Sequence, residues 1–172
     1  MKCNSFELKR KNFKPYKVRV LFIGESPPAN GTFFYCGNSN LARYTKEGFE
    51  IVFGDLGDMS EFLRFFQKKG CYLVDLCSKP INRLGKSERN KQRNRGVENL
   101  SSIIEELKPE RIVVVMKGIK RQVKRALGAK ALKFDIEKYS LPFPAFGHQK
   151  RYLEGLAGFV KEFRNNGIFD DC

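Results

Sequence analysis

Three short apolar runs, separated by stretches with helical spacing, set the rhythm of this chain. They fall at residues 17–23, 71–77 and 111–116. Each is continuous rather than alternating, as in strands buried on both faces of a parallel sheet. Between the first two, Met59, Phe62, Leu63 and Phe66 share one face of a predicted helix, with Asp58 as its cap and Gly70 as its stop. Val97, Leu100, Ile103, Ile104 and Leu107 mark a second helix, ended by Pro109. Lys117-Gly118 leads into a basic helix that runs to Leu127 and stops at Gly128. A last helix carries Tyr152, Leu156, Phe159, Val160 and Phe163 on one face. Residues 131–139 read as a fourth strand, 1–16 as a loose basic lead-in with room for one short element, 37–45 as a loop opening a helix, and 78–95 as a polar, turn-prone loop. The pattern does not decide residues 47–57. Strand and helix alternate without internal repeats, which predicts an α/β fold. The expected form is one domain spanning residues 1–172, a three-layer α/β/α sandwich around a mainly parallel four-stranded sheet.

Composition narrows the function. Lys and Arg number 33 against 19 Asp and Glu, a net charge of +14. Such an excess favours a polyanionic partner, and nucleic acid is the partner expected here. No apolar run reaches the ~18 residues that span a bilayer, so no membrane association is expected. The basic, polar start lacks the apolar segment of a secretion signal. A cytoplasmic protein is expected, nucleoid-associated if the source is prokaryotic, and a monomer. The five cysteines are scattered, with no Cys-x-x-Cys; most read as buried thiols, four could still hold an iron–sulfur cluster, and no cofactor or metal is called for.

Candidate chemistry collects where the apolar runs end, because ligands of open parallel sheets bind beyond the carboxyl ends of the strands. The first run breaks into Gly24-Glu25-Ser26-Pro27-Pro28, followed by Phe33-Phe34-Tyr35. The second contains Asp75 and leads to Arg83, Lys86, Arg89, Lys91, Arg93 and Arg95, with Glu88 the one carboxylate among them. That loop suits phosphate contact as well as simple solvation. The Pro-rich stretch Leu141-Pro142-Phe143-Pro144 precedes His148, Lys150 and Arg151. Other site types fail. There is no Gly-x-x-x-x-Gly-Lys-Ser/Thr loop and no Gly-x-Gly-x-x-Gly, and the single His excludes both a His-x-x-x-His zinc site and zinc deaminase chemistry.

In order along the chain, these segments resemble the motifs of the uracil-DNA glycosylase superfamily. Gly24-Glu25-Ser26-Pro27-Pro28 is similar to its first motif. Glu25 stands where the iron–sulfur-type branch has a Glu that handles water, and Ser26 where the best-known branch has Asp and the mismatch-specific branch Asn. The resemblance implies catalytic roles for Glu25 and Ser26. It implies a base-binding role for Pro27, for an aromatic among Phe33, Phe34 and Tyr35, and for Asp75, which lies near the residue that reads the base edge. Leu141-Pro142-Phe143-Pro144 resembles the second motif, whose loop enters the minor groove and whose His stabilises the departing base. Leu141 holds the place of that His and cannot donate a hydrogen bond. His148, Arg151 or a backbone N–H would have to substitute, so His148 joins the catalytic candidates. The cluster cysteines of the iron–sulfur branch have no counterpart in pattern.

The resemblance therefore implies a DNA glycosylase-like protein that flips a damaged or deaminated base and hydrolyses its N-glycosidic bond, as in base-excision repair. Phosphates would be held by Arg83, Lys86, Arg89, Lys91, Arg93, Lys150 and Arg151, with Pro142 and Pro144 stiffening the wedge loop. The alternative is a non-catalytic nucleic-acid-binding member of the same fold, motivated by Leu141. A small-nucleotide enzyme is a third reading, less economical because one small anion needs far fewer cations.

Overall fold

The computed structural model describes residues 2–170, with side chains from Phe6 onward. Strand β1 (Val20–Gly24) is central. It pairs in parallel with β2 (Cys71–Asp75) on one side and β3 (Arg111–Val114) on the other. Every residue of β1 and β2 is buried, as the continuous apolar runs require. The register sets Gly24 beside Asp75. The ladder continues past the strand ends, where Leu76 and Cys77 donate their N–H groups to the carbonyls of Gly24 and Glu25. Both loops therefore leave the sheet tied to each other.

Eight helices surround this sheet among the described residues. They are α1 (Lys2–Asn12), α2 (Asn40–Phe53), α3 (Met59–Lys68), α4 (Lys86–Arg95), α5 (Val97–Leu107), α6 (Lys120–Leu127), α7 (Ala131–Phe134) and α8 (Gln149–Asn165). Asp58 caps α3 as its position predicts, and forms a reciprocal capping box with Glu61. Ser39 caps α2 by accepting from the Ala42 N–H. The ring of Phe22 on β1 meets Phe49 of α2 and Phe66 of α3. Helix α8 packs along α2, where Gly48 leaves room for Leu156 and Thr45 shares a buried 2.8 Å hydrogen bond with Tyr152. Helices α5 and α6 pack on each other.

Three expectations change. Among the described residues the sheet has three strands rather than four. Residues 128–134 form a short 3-10 turn and α7, and a turn with Asp135 at φ 43° follows. Only Ser140 then bridges Val114. The chain swings past β3 too briefly to extend a ladder beyond one residue. Next, the polar loop at 78–95 contains helix α4, which has no buried side chain and hence no apolar stripe to betray it. Finally, the lead-in is helical up to Asn12, and residues 40–53, partly undecided by pattern, form one helix. No helix among the described residues is long and apolar enough to cross a membrane.

Candidate functional site

A cavity of about 450 Å³ opens at the carboxyl ends of β1 and β2. Its floor is Gly24, Glu25, Ser26 and Asp75, and Phe143 and Phe146 stand on its rim. The first two sheet loops and the Pro-rich loop thus converge as the order of elements predicts. Both carboxylates on the floor are buried, Glu25 at 8% exposure and Asp75 at 9%. Buried carboxylates need compensating charge, and each finds it in a different place.

Glu25 is held by two arginines of α4. Arg89 donates from Nε to Oε1 at 2.9 Å and from Nη2 to Oε2 at 2.5 Å, and Arg93 donates from Nε to Oε1 at 2.6 Å. The hydrogen bond to Glu25 raises the pKa of Arg89 further. These two arginines, expected on phosphates, turn inward, one α-helical turn apart, onto a single carboxylate. Arg83, Lys86 and Lys91 remain exposed.

Asp75 is held by Arg10 of α1, whose Nη2 donates to Oδ2 at 2.7 Å while its Nη1 donates to Glu7. Burial is the largest influence on Asp75 and pushes its pKa up to about 6, against the pull of the Arg10 charge; Glu7 and Glu25 push it further up. Oδ1 lies over Gly24, which carries no side chain to cover it. Among the described residues no protein donor reaches Oδ1, so it stands as an acceptor at the cavity wall.

Phe33 and Phe34 reach the cavity wall, but they are 1% and 3% exposed, and Tyr35 at 4% does not line it. Phe6 covers a face of Phe33 with ring centroids 4.6 Å apart, and Phe13 stacks on Tyr35. Tyr35 instead serves the sheet edge: its hydroxyl donates to the Leu73 carbonyl and accepts from the Leu73 N–H. The open aromatic surface belongs to Phe143, 38% exposed, and Phe146, 97% exposed. Phe146 sits at φ 53°, a conformation disfavoured for a bulky residue, so the loop holds its ring outward at a conformational cost.

Ser26 and Pro27 line the cavity, and the Ser26 hydroxyl accepts a long 3.4 Å bond from the Ile81 N–H. His148 does not join them. It precedes α8 and faces a separate hollow with Lys117, Leu141, Pro142 and Arg151. Leu141 is buried, its backbone tied to Val114 and Lys117 and its side chain against Gly155. Pro144 is buried, Pro142 partly so, and Lys150 and Arg151 are exposed on the first turn of α8. A Ser26–His148–Asp75 triad is thus not assembled.

Sequence reading missed Arg10, Phe6 and Phe13, because residues 1–16 read as a lead-in. Their spacing of four and three is the helical signal that marks one face. It also missed Phe143 and Phe146 as the exposed rings.

Cys71 and Cys77 are buried, and burial pushes Cys77 up to about 11; Cys36 is partly buried. The side chains of Cys3 and Cys172 lie outside the described residues. Among the described residues no group of three His, Cys, Asp or Glu side chains is placed to hold a metal. Comparison of the chain with protein-family models and with curated proteins finds no match in either.

Proposed function

We propose that this chain is a DNA glycosylase-like protein with a uracil-DNA glycosylase-like α/β/α sandwich, acting on an extruded base. The observation that carries the reading is the cavity of about 450 Å³ where Glu25 and Asp75 converge beneath an outward-held Phe146. A hollow of that size suits a single base. Polar groups at its floor suit hydrogen bonding to a base edge, and an exposed ring beside its mouth suits filling the gap that an extruded base leaves in the stack. The net charge of +14 suits a duplex backbone.

In this mechanism water adds to the anomeric carbon as the C–N bond breaks, and the bonding pair leaves on the base. Glu25 orients the water and takes its proton, which passes to solvent. The departing base takes up a proton from solvent. Asp75 meets the base edge through Oδ1, which accepts and so favours an N–H at that edge. Wild type should release base from at least one duplex in a set carrying uracil, hypoxanthine, xanthine or mismatched uracil, read by alkaline strand scission. Glu25→Ala should lose that release. Undiminished cleavage by the variant sinks the role of Glu25.

A second reading, a non-catalytic nucleic-acid-binding protein, is favoured by one arrangement. Both oxygens of Glu25 are engaged by arginines, and the cavity has no His donor for a departing base. It expects salt-dependent duplex binding and no base release from any member of the set.

A further inference from the structure

Helix α4 is attached to the rest of the molecule in an unusual way. It has no buried side chain. Its described attachments are polar: Arg89 and Arg93 on Glu25, Arg93 on the Gly118 carbonyl, Gln122 of α6 on Asn90 and Asn94, and Arg125 on Asn94. Buried Gln122 still has one amide oxygen with no partner. An interface of this kind differs from an apolar one. Its exposed amide contacts are satisfied as well by water, and its pair with buried Glu25 opens only where the arginines gain another anion in exchange.

The two ends of α4 differ as well. Gly96 is wedged against the β2 end, where an added Cβ would lie 2.2 Å from the Leu76 carbonyl oxygen. Gly85 at the other end has open space around it. The helix is therefore tethered at its C-terminus, and the half that carries Arg89 is the freer one.

The inward arginines occupy Glu25, the one cavity carboxylate that the glycosylase reading needs free to accept from water. Around them Arg83, Lys86, Lys91 and Arg95 face solvent, and Glu88 is the one acidic residue on the helix. We propose that α4 is a nucleic-acid-binding surface on which two backbone phosphates replace Glu25 as the partners of Arg89 and Arg93, and that this exchange frees Glu25. The inference rests on the nucleic-acid reading above and adds to it the means by which the substrate uncovers its own site. Carboxylate and phosphate both match the guanidinium fork, so the exchange substitutes one charge-assisted pair for another. A polymer with regularly spaced phosphates also engages the four outward cations and releases counterions, which a small anion does not.

The test is binding of a short lesion-free DNA duplex over a range of salt, so base release plays no part in it. Arg89→Gln with Arg93→Gln should weaken binding and lower the slope of log affinity on log salt by about 2, at ~0.9 per phosphate contact. Glu25→Gln should tighten binding several-fold more than Glu88→Gln, which removes the same charge from α4 without freeing either arginine. In the double-arginine background Glu25→Gln should bring no more than Glu88→Gln. Circular dichroism checks folding of each variant; if the double variant fails to fold, the comparison of Glu25→Gln with Glu88→Gln decides. An unchanged slope, or equal effects of the two glutamate variants, overturns the exchange while leaving DNA binding in place. Absence of binding by wild type overturns the nucleic-acid reading itself and the exchange with it.

Discussion

A methyl group on Gly24 would lie 2.7 Å from Asp75 Oδ1. Gly24 is set beside Asp75 in the parallel register, and its backbone lies outside the left-handed region. Steric closeness, rather than backbone freedom, therefore keeps this position small. Gly24→Ala should push the Asp75 carboxylate off its Arg10 partner and cost about 1–3 kcal/mol, the usual range for overpacking. Urea denaturation measures this. A variant as stable as wild type would mean that Asp75 moves freely, contrary to its pairing with Arg10.

Asp75 itself makes stability depend on pH. Its pKa is near 3.9 in an unfolded chain and about 6 in the fold, chiefly because of burial. Below about pH 4 both states hold the proton, and the fold bears no penalty. As pH rises to about 6 the unfolded chain ionises first, so the folded state loses ground by up to about 3 kcal/mol and then levels off. Asp75→Asn removes this dependence, so wild type should fall relative to the variant across that window. Stability curves of the pair that stay parallel from acid to neutral pH contradict it. Arg10→Gln removes the main influence opposing burial, and the Asp75 carboxyl signal in carbon NMR should then titrate at higher pH.

Tyr35 closes the outer edge of β2 with one hydroxyl that serves both polar groups of Leu73. Tyr35→Phe leaves a buried donor and a buried acceptor unpaired, at about 1–3 kcal/mol. Thermal denaturation reads the cost. Hydrogen exchange at the Leu73 amide should also speed up, because the hydroxyl is the acceptor for that N–H.

Phe146 makes the opposite case. Its ring is 97% exposed, so Phe146→Ala should change stability by no more than ~0.5 kcal/mol. If the ring fills the space of an extruded base, the same variant should bind lesion-bearing duplex at least several-fold more weakly. Equal binding by wild type and variant removes Phe146 from the DNA-facing role.

The sequence by itself determined what depends on local pattern. Continuous apolar runs announced β1, β2 and β3, Asp58 announced the start of α3, and the Gly-Glu-Ser-Pro turn lies where a cavity opens. Burial on both faces and capping leave their marks within a few residues. Polar helices leave none, so α4 read as a loop and α1 as a lead-in, while a stretch with the look of a strand near residue 135 turned out to pair at Ser140 alone. Only the tertiary structure decided who partners the two cavity carboxylates. Arg89 lies 64 positions from Glu25, and Arg10 lies 65 from Asp75. A lysine- and arginine-rich chain offers many candidates for each acid. Which of them turns inward depends on how its helix lies against the sheet, and no local pattern records that.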